Sequence, residues 1–219
     1  MTDVDHRPLR ADAERNRRLV LEAAAQAFAE EGFDVGVAEI ARRAGVGNAT
    51  VFRRFPTKEA LVEAIFDEKV EACCAAARRA GEHEDAWEGL VEFLESTAEM
   101  QARDRGFFQA TEQYLQRNPE LIGRHRKIFD LVDPIVARAQ REGTLRDDVT
   151  AIDVLGLMKG AVAALPPLPG LRADGWRRLL SIVLDGLRPG AATPAPVPAL
   201  SFDEIERVLH ARDADASGG

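Results

Sequence analysis

Two short helical patterns joined by a glycine-containing turn constrain the fold of this chain more than any other feature. In residues 37–44 (VAEIARRA) and again in residues 49–55 (ATVFRRF), apolar side chains recur at helical spacing. Gly45-Val46-Gly47 separates the two patterns, and Val51 and Phe55 are the inward positions of the second. Two short helices with such a turn, braced by a longer preceding helix, predict a helix-turn-helix.

The remaining sequence favours helices as well. Ala-rich and charge-rich runs are broken by Gly and Pro, and aromatic residues make up only 6% of the chain. A long helix is predicted from Ala11 to Gly32, where the glycine ends it. The predicted fold is all-α, with a three-helix N-terminal domain and a larger helical domain after it. Further helices are predicted at 58–80, 86–103, 106–117, 119–141 with a kink at Pro134, 149–164 and 174–187.

Composition also divides the chain into segments. Residues 1–10 are predicted to be a flexible arm, and residues 11–57 hold the three helices of the helix-turn-helix domain. Residues 58–188 are predicted to form the larger domain for effector binding and dimerisation. Residues 189–219 begin with a Pro/Ala linker, continue as a short amphipathic helix and end in a disordered tail.

Basic side chains are concentrated next to the predicted turn. The chain has a net charge of −8, but residues 1–60 carry as many basic as acidic side chains. Because nucleic acid repels an acidic protein, a local cluster of cations indicates that this segment lies against DNA phosphate. Within residues 40–61 no acid precedes Glu59, and the five cations are Arg42, Arg43, Arg53, Arg54 and Lys58.

The second short helix offers the side chains that a DNA-reading helix needs. Asn48 is predicted to cap it, and its N-terminal residues can then enter the major groove. Arginine binds guanine or phosphate through two hydrogen bonds, and Lys58 starts the next helix, where it can hold a phosphate. The competing interpretation is a solvated basic face with Phe52 in the core. The outward residues are Asn48, Ala49, Thr50, Phe52, Arg53 and Arg54.

Residues 18–66 resemble the DNA-binding domain of the TetR family of bacterial transcriptional repressors. The stretches LEAAAQAFAEEGF and VAEIARRAGVGNATVFRRFPTKEALVEAIF carry the resemblance. It implies an all-helical homodimer whose two recognition helices read a palindromic operator. It also implies a small-molecule effector that binds the C-terminal domain and releases the DNA. The positions that match places near DNA in the family are Val37, Ala38, Asn48, Ala49, Thr50, Phe52, Arg54 and Lys58.

Three positions depart from the common family pattern. Phe52 stands where tyrosine is commonest, so a phenolic hydroxyl is not there to bind phosphate. Arg54 replaces a common histidine with a stronger charge. Ala49 replaces a common glycine with a methyl group that can touch thymine. The resemblance survives all three changes.

A hydrophobic effector site is predicted in the larger domain. An apolar cavity between helices with a few polar groups would admit a largely hydrophobic effector. Aromatic side chains at helical spacing more often form core, and that alternative applies to every candidate. The candidates for the pocket are Trp87, Phe93, Met100, Phe107, Phe108, Gln109, Glu112, Tyr114, His125 and Phe129.

A dimer interface is predicted in the last two large helices. Segments 149–164 and 174–187 are apolar on more than one face, which indicates burial by a second copy of the chain. Two glycines in the first segment permit close approach of another helix. The candidates for the interface are Ile152, Leu155, Gly156, Gly160, Trp176, Leu180, Val183 and Leu184.

No catalytic, cofactor or metal site is predicted. Cys73 and Cys74 are neighbours on a helix and do not face each other, so no disulfide between them is expected. The four histidines lack metal-ligand spacing, and no nucleophile elbow or phosphate-binding glycine loop occurs. Without a membrane span or a secretory signal, a cytoplasmic protein is expected. The alternatives are an activator, and a helical enzyme or interaction module that retains the helix-turn-helix domain without specific DNA binding.

Overall fold

The computed structural model describes residues 7–164, 174–191, 193, 195–204 and 207. Within these ranges all regular secondary structure is helical, which confirms the all-α prediction. A 3-10 turn at Pro189–Ala191 follows the helix that ends at Gly186. The helices are α1 (Arg7–Glu31), α2 (Val37–Ala44), α3 (Asn48–Arg54), α4 (Lys58–Glu82), α5 (Ala86–Arg103), α6 (Arg105–Gln116), α7 (Pro119–Gly123), α8 (Arg126–Arg141), α9 (Ala151–Ala163) and α10 (Gly175–Gly186).

The described residues form two compact units. The head unit comprises those of Met1–Lys69 and Asp104–Leu115, and the body unit comprises those of Val70–Arg103 and Gln116–Gly219. The predicted boundary placed all of α4 in the larger domain, whereas its first half packs with the head. Nearly all of α6 was also placed in the larger domain, and it too packs with the head, although it is distant in sequence from the helix-turn-helix.

The head is built around fully buried apolar side chains. Ile40 of α2, Val51 of α3 and Leu61 of α4 are each 0% exposed. Phe28 of α1 lies against Phe107 of α6, with ring centroids 6.4 Å apart. Long helices therefore supply a scaffold on which the two short helices are fixed. The predicted inward positions of α1 are all buried, namely Val20, Ala24, Ala27 and Phe28.

In the body, α5 packs against α8, α9 and α10. Leu90 and Leu94 of α5, Val132 of α8 and Val154 of α9 are each 0% exposed. Removing such side chains from water, at roughly 25 cal/mol per Å² of apolar surface, is what drives these helices together. Thr97 of α5 is the one buried polar side chain among the described body residues.

Two predicted helices differ from the structure by a turn or more, and the other predicted ends lie within two residues of the observed ones. α1 begins at Arg7 rather than Ala11, because Pro8 fits the first turn of a helix, where N–H groups have no helical acceptor. The helix predicted at 119–141 is divided into α7 and α8, since the chain makes a tight turn in which Arg124 N–H donates to the Leu121 carbonyl. α4 continues to Glu82.

Pro134 lies inside α8, and the kink predicted there stays a prediction. A helix starts at Phe202, as predicted after the Pro/Ala segment. The flexible arm predicted for residues 1–10 is wrong for residues 7–10, which are the first turn of α1, and its residues 1–6 lie outside the described residues. The predicted disordered tail, from residue 208 onward, lies outside them too.

Candidate nucleic-acid interface

α3 presents one buried face and one exposed face. Val51 is 0% exposed and Phe55, which follows the helix, is 6% exposed, so both anchor α3 in the head. Phe52 is 49% exposed, which excludes the core position considered from the sequence. Thr50 is half-buried. The other predicted outward residues are all exposed, namely Asn48, Ala49, Arg53 and Arg54.

The turn before α3 fixes the direction in which that helix leaves α2. Gly45 has a φ of 67°, in the left-handed region that glycine adopts without steric cost. Its N–H and the N–H of Val46 donate to carbonyls in the last turn of α2. Gly47 is the N-cap of α3, and its carbonyl accepts the Thr50 N–H at 2.9 Å. Asn48 is therefore the first helical residue, and the prediction that its side chain caps α3 is wrong.

Arg43 is bound within the head and is not part of a free basic surface. Its guanidinium donates to Glu39 at 2.8 Å and to Glu30 at 2.6 Å, and it also pairs with Glu31. Arg42 donates two hydrogen bonds, at 2.6 and 2.7 Å, to the same Glu39 carboxylate. The prediction that the cations of residues 40–61 face DNA phosphate does not hold for Arg43, because carboxylates of α1 and α2 neutralise it.

This carboxylate–arginine cluster keeps its members charged at neutral pH. Hydrogen bonds from Arg42 and Arg43 lower the pKa of Glu39 to about 2. Hydrogen bonds to Glu39 and Glu30 raise the pKa of Arg43 above its ordinary value. The cluster therefore joins α2 to the end of α1 by ion pairs and helps to fix α2 on α1.

Lys58, the first residue of α4, contacts the turn that follows α1. Its Nζ donates to the carbonyl oxygen of Phe33 at 3.0 Å and lies 5.1 Å from the centroid of that ring. An ammonium group carries three N–H donors, so this contact leaves donors for a phosphate oxygen. Thr57 caps α4, as predicted, by accepting the Ala60 N–H at 3.1 Å.

The remaining predicted contact residues lie at the start of α2 and the end of α3. Val37 is half-buried and Ala38 is exposed, directly after the N-cap Gly36. Arg54 Nη2 lies 3.9 Å from a carboxylate oxygen of Glu14 on α1. An exposed ion pair at this distance contributes little to stability, so Arg54 can exchange it for a contact with an anionic partner.

A helix of this kind, with exposed arginines on one face and a second short helix bracing the other, can enter a major groove. A sequence profile described as "Bacterial regulatory proteins, tetR family" matches residues 20–65. A second profile, "Transcriptional regulator SbtR-like, C-terminal domain", matches residues 85–189. A solved TetR transcription regulatory protein from Mycobacterium vanbaalenii is 36% identical, with a TM-score of 0.59, and the match covers 83% of this chain and 99% of that one. This chain belongs to the TetR family.

Two further relatives agree with this assignment. A solved TetR transcriptional regulator from Streptomyces coelicolor is 30% identical, with a TM-score of 0.62, over 79% of this chain and 98% of that one. The HTH-type transcriptional regulator UidR of Escherichia coli K12 is 25% identical over 188 residues, 82% of this chain and 96% of UidR. The resemblance drawn from residues 18–66 is confirmed, and the family is one of transcriptional regulators rather than enzymes.

The predicted effector-pocket residues of this TetR regulator are divided between its two units. Phe107 is buried in the head core, and Phe108 and Tyr114 pack against that core. Gln109 is exposed on α6. The side chain of Glu112 lies outside the described residues. Sequence spacing could not reveal this division, because α6 follows a body helix in the chain and packs with the head.

The other five pocket candidates lie in the body. Trp87 and Phe93 are buried, whereas Met100, His125 and Phe129 are half-buried. Sequence reasoning missed Thr97, which lies on α5 between Phe93 and Met100 and is 3% exposed. Its hydroxyl has no hydrogen-bond partner among the described residues. The sequence signal that could have identified Thr97 is a threonine at a position of α5 where helical spacing predicts a buried apolar side chain.

The predicted dimer residues differ in what they offer a second chain. Leu155, Trp176 and Leu180 are at most 8% exposed, so the chain itself already buries them. Ile152, Val183 and Leu184 are half-buried, and Gly156 and Gly160 are exposed, with no atom within 4 Å of an added Cβ. Leu157 and Ile182 were not predicted, yet they are 45% and 56% exposed on α9 and α10. The assignment of the eight predicted residues to a dimer interface remains a prediction.

The described residues contain no candidate for a metal or membrane site. No group of three or more His, Cys, Asp or Glu side chains within the described ranges could hold a metal ion. No helix found there is long and apolar enough to span a membrane. Cys73 and Cys74 are buried and are not joined by a disulfide, and burial followed by the charge of Glu71 raises the pKa of Cys74. A raised pKa disfavours the reactive thiolate.

Proposed function

We propose that this TetR regulator is a homodimeric repressor that binds a palindromic operator and is released by an uncharged, largely apolar small molecule. The observation that carries the proposal is the outward face of α3. There Phe52, Arg53 and Arg54 are exposed while Val51 and Phe55 fix the helix in the head. Arg53 or Arg54 reads a base, and Lys58 holds a phosphate from the start of α4.

Dimerisation through α9 and α10 provides the second recognition helix. The exposed glycines Gly156 and Gly160 leave room for a partner helix, and Leu157 and Ile182 offer apolar side chains to it. In a twofold dimer the same patch faces itself. Two copies of α3 then contact half-sites about 34–36 Å apart, one turn of DNA, which is why the operator is palindromic.

Thr97 supports an effector that is uncharged and carries one hydrogen-bonding group. Thr97 is 3% exposed, and its hydroxyl has no partner among the described residues. A buried hydroxyl without a partner costs free energy, which a ligand can recover by donating to it or accepting from it. No charged side chain is fully buried among the described body residues, so an ionised ligand beside Thr97 would find no buried counter-charge there.

Release follows from a coupling between effector site and head. α4 runs from Lys58 to Glu82, and its first half belongs to the head and its second half to the body. An effector that changes the body arrangement can therefore alter the spacing of the two recognition helices through α4. An effector that binds tightly without changing operator affinity would contradict this coupling.

Operator binding by α3 and α4 variants tests the DNA-contacting residues. Lys58→Ala should weaken binding to every duplex and reduce the slope of log K against log salt by about one unit, because one phosphate contact is lost. Arg54→Ala should reduce preference for the operator over a scrambled duplex if it reads a base. Arg78→Ala, on the body half of α4, is the control and should have the operator affinity and salt dependence of wild type. Unchanged affinity of Lys58→Ala across a salt titration would remove Lys58 from the interface.

A further inference from the structure

The C-terminal strap, residues 195–204, lies beyond the part of the chain that the family profiles match. The C-terminal profile ends at residue 189. The strap begins with six apolar residues, APVPAL, and every one of them is exposed. Val197 and Leu200 are 69% and 55% exposed, among the highest values for large apolar side chains in the described parts of the chain. This segment is an addition to the common body, and it presents apolar surface to solvent.

The start of the strap is fastened by an ion pair in the loop between α8 and α9. Arg146 donates to the two carboxylate oxygens of Asp148 at 2.6 and 2.8 Å. The same guanidinium donates to the Thr193 carbonyl at 2.7 Å, and Asp148 accepts the Ala195 N–H at 3.4 Å. Hydrogen bonding by Arg146 lowers the pKa of Asp148 to about 2, so this fastening persists at neutral pH.

The far end of the strap is fastened to α8. The ring of Phe202 packs on Phe129, with centroids 4.6 Å apart. Asp203 accepts a hydrogen bond from Arg126 at 2.6 Å, and the Arg126 guanidinium lies 5.5 Å from the Phe202 ring centroid. The six apolar residues are therefore held between two attachment points on the body.

Holding an apolar segment in water is unfavourable on two counts. The backbone loses conformational entropy when its ends are fixed, and the exposed apolar side chains remain in contact with water. A free Pro/Ala linker would avoid the first cost. A fixed apolar segment is instead typical of a surface that another molecule covers.

The position of Leu200 indicates which molecule covers the strap. Thr150 is the N-cap of α9, and its hydroxyl lies 3.5 Å from the Leu200 carbonyl oxygen, so the strap lies beside the first turn of α9. α9 and α10 form the proposed dimer interface, yet Leu157 and Ile182 are the only exposed large apolar side chains on their described residues. Ile152, Val183 and Leu184 are half-buried on the same two helices. A standard interface buries about 800 Å² on each partner, and the apolar strap beside α9 adds to the area that these five side chains offer.

We infer that the strap extends the dimer interface and that a second copy of this chain covers Val197 and Leu200. The inference rests on the proposed dimerisation through α9 and α10. It assigns a role to a segment that the family profiles do not include. Arg126, Arg146 and Asp148 act on the interface indirectly, by holding the strap in place.

Sedimentation equilibrium of the full chain tests this inference. In the double variant V197D/L200D each charge occurs twice across a twofold interface, so the dimer dissociation constant should rise by about tenfold or more. Both side chains are exposed, and an unchanged melting temperature would verify that the single chain still folds. Leu19→Asp replaces a 38% exposed apolar side chain of the head and is the matched control, with a constant within about twofold of wild type.

A second pair of substitutions separates the strap from the proposed dimer itself. L157D/I182D should give a monomer, because these residues lie on α9 and α10. If that variant is a monomer while V197D/L200D retains the wild-type dissociation constant, the strap inference is overturned and the proposed dimer stands. If the wild-type chain is itself a monomer at tens of micromolar, both are overturned.

Discussion

At the scale of single residues, the charge of Arg43 is paired with carboxylates of the head itself. Its partners Glu30 and Glu31 end α1, and Glu39 lies on its own helix one turn earlier. The sequence places Arg43 beside four other cations, which suggested a common role in phosphate binding. Helical spacing shows the neighbour Glu39, but the partners on α1 become visible only when α1 and α2 are packed together.

Glu39 makes the stability of the head depend on pH in the acid range. Its pKa is about 2 in the folded protein, below the ordinary 4.5, so its stabilisation is complete above about pH 4.5 and is lost as pH falls towards 2. Glu39→Gln should lower the melting temperature at pH 7. The difference in melting temperature between this variant and wild type should shrink from pH 4.5 down to the lowest pH at which both proteins fold. Thermal unfolding followed by circular dichroism measures both values.

A control substitution keeps this test specific to Glu39. Glu22 on α1 has a 65% exposed side chain, and its distance to Arg18 is 3.7 Å. The melting temperature of Glu22→Gln should therefore stay close to that of wild type over the whole pH range, as expected for a surface ion pair. A gap for Glu39→Gln that stays constant with pH would contradict the role assigned to the ion pairs.

The two buried threonines should respond in opposite ways when the hydroxyl is removed. Thr111 donates to the Phe107 carbonyl at 2.8 Å, so Thr111→Val should destabilise the protein by about 0.5–1.5 kcal/mol. No partner for the Thr97 hydroxyl lies in the described parts of the chain, so Thr97→Val should leave the stability unchanged or raise it. Urea unfolding of the ligand-free protein gives both free energies. A loss for Thr97→Val as large as that for Thr111→Val would show that the Thr97 hydroxyl is already satisfied.

At the scale of helices, α6 packs on α1 because its second residue is a glycine. A Cβ atom added at Gly106 would lie 2.6 Å from the Cβ of Ala29 and 3.1 Å from its Cα, so the two helices would have to separate. This close approach brings Phe107 against Phe28 in the head core. A segment that follows the body helix α5 thereby becomes part of the head.

Gly106→Ala should destabilise the head although alanine favours helices. The clash with Ala29 costs about 1–3 kcal/mol, which exceeds the roughly 0.5–1 kcal/mol gained in helix propensity. Gly81→Ala in α4 is the matched control, because its added Cβ would lie 4.0 Å from Ile135, an ordinary contact. That control should be neutral or stabilising in urea unfolding. Equal stabilisation by both substitutions would mean that α6 does not press on α1.

At the scale of the whole molecule, local patterns predicted what depends on neighbours in sequence. The all-helical class, the bounds of α2 and α5 and the inward positions Val51 and Phe55 follow from periodicity and from Gly and Pro. Placement of α6 in the head could not be predicted, since it depends on a contact between Gly106 and Ala29. The attachment of the strap was missed for the same reason, because Pro/Ala composition predicts an extended chain without its partners.

The proposed function depends on α3 as a sequence-reading helix. Fluorescence anisotropy of the purified full chain with the DNA upstream of its own gene, beside a scrambled duplex at two salt concentrations, tests this most directly. A repressor should bind the upstream DNA more tightly than the scrambled duplex, by about 10³-fold or more, and both affinities should fall steeply with salt. Equal weak binding to both duplexes, followed by no enriched sequence in a selection from genomic fragments, would contradict a DNA-reading role for α3.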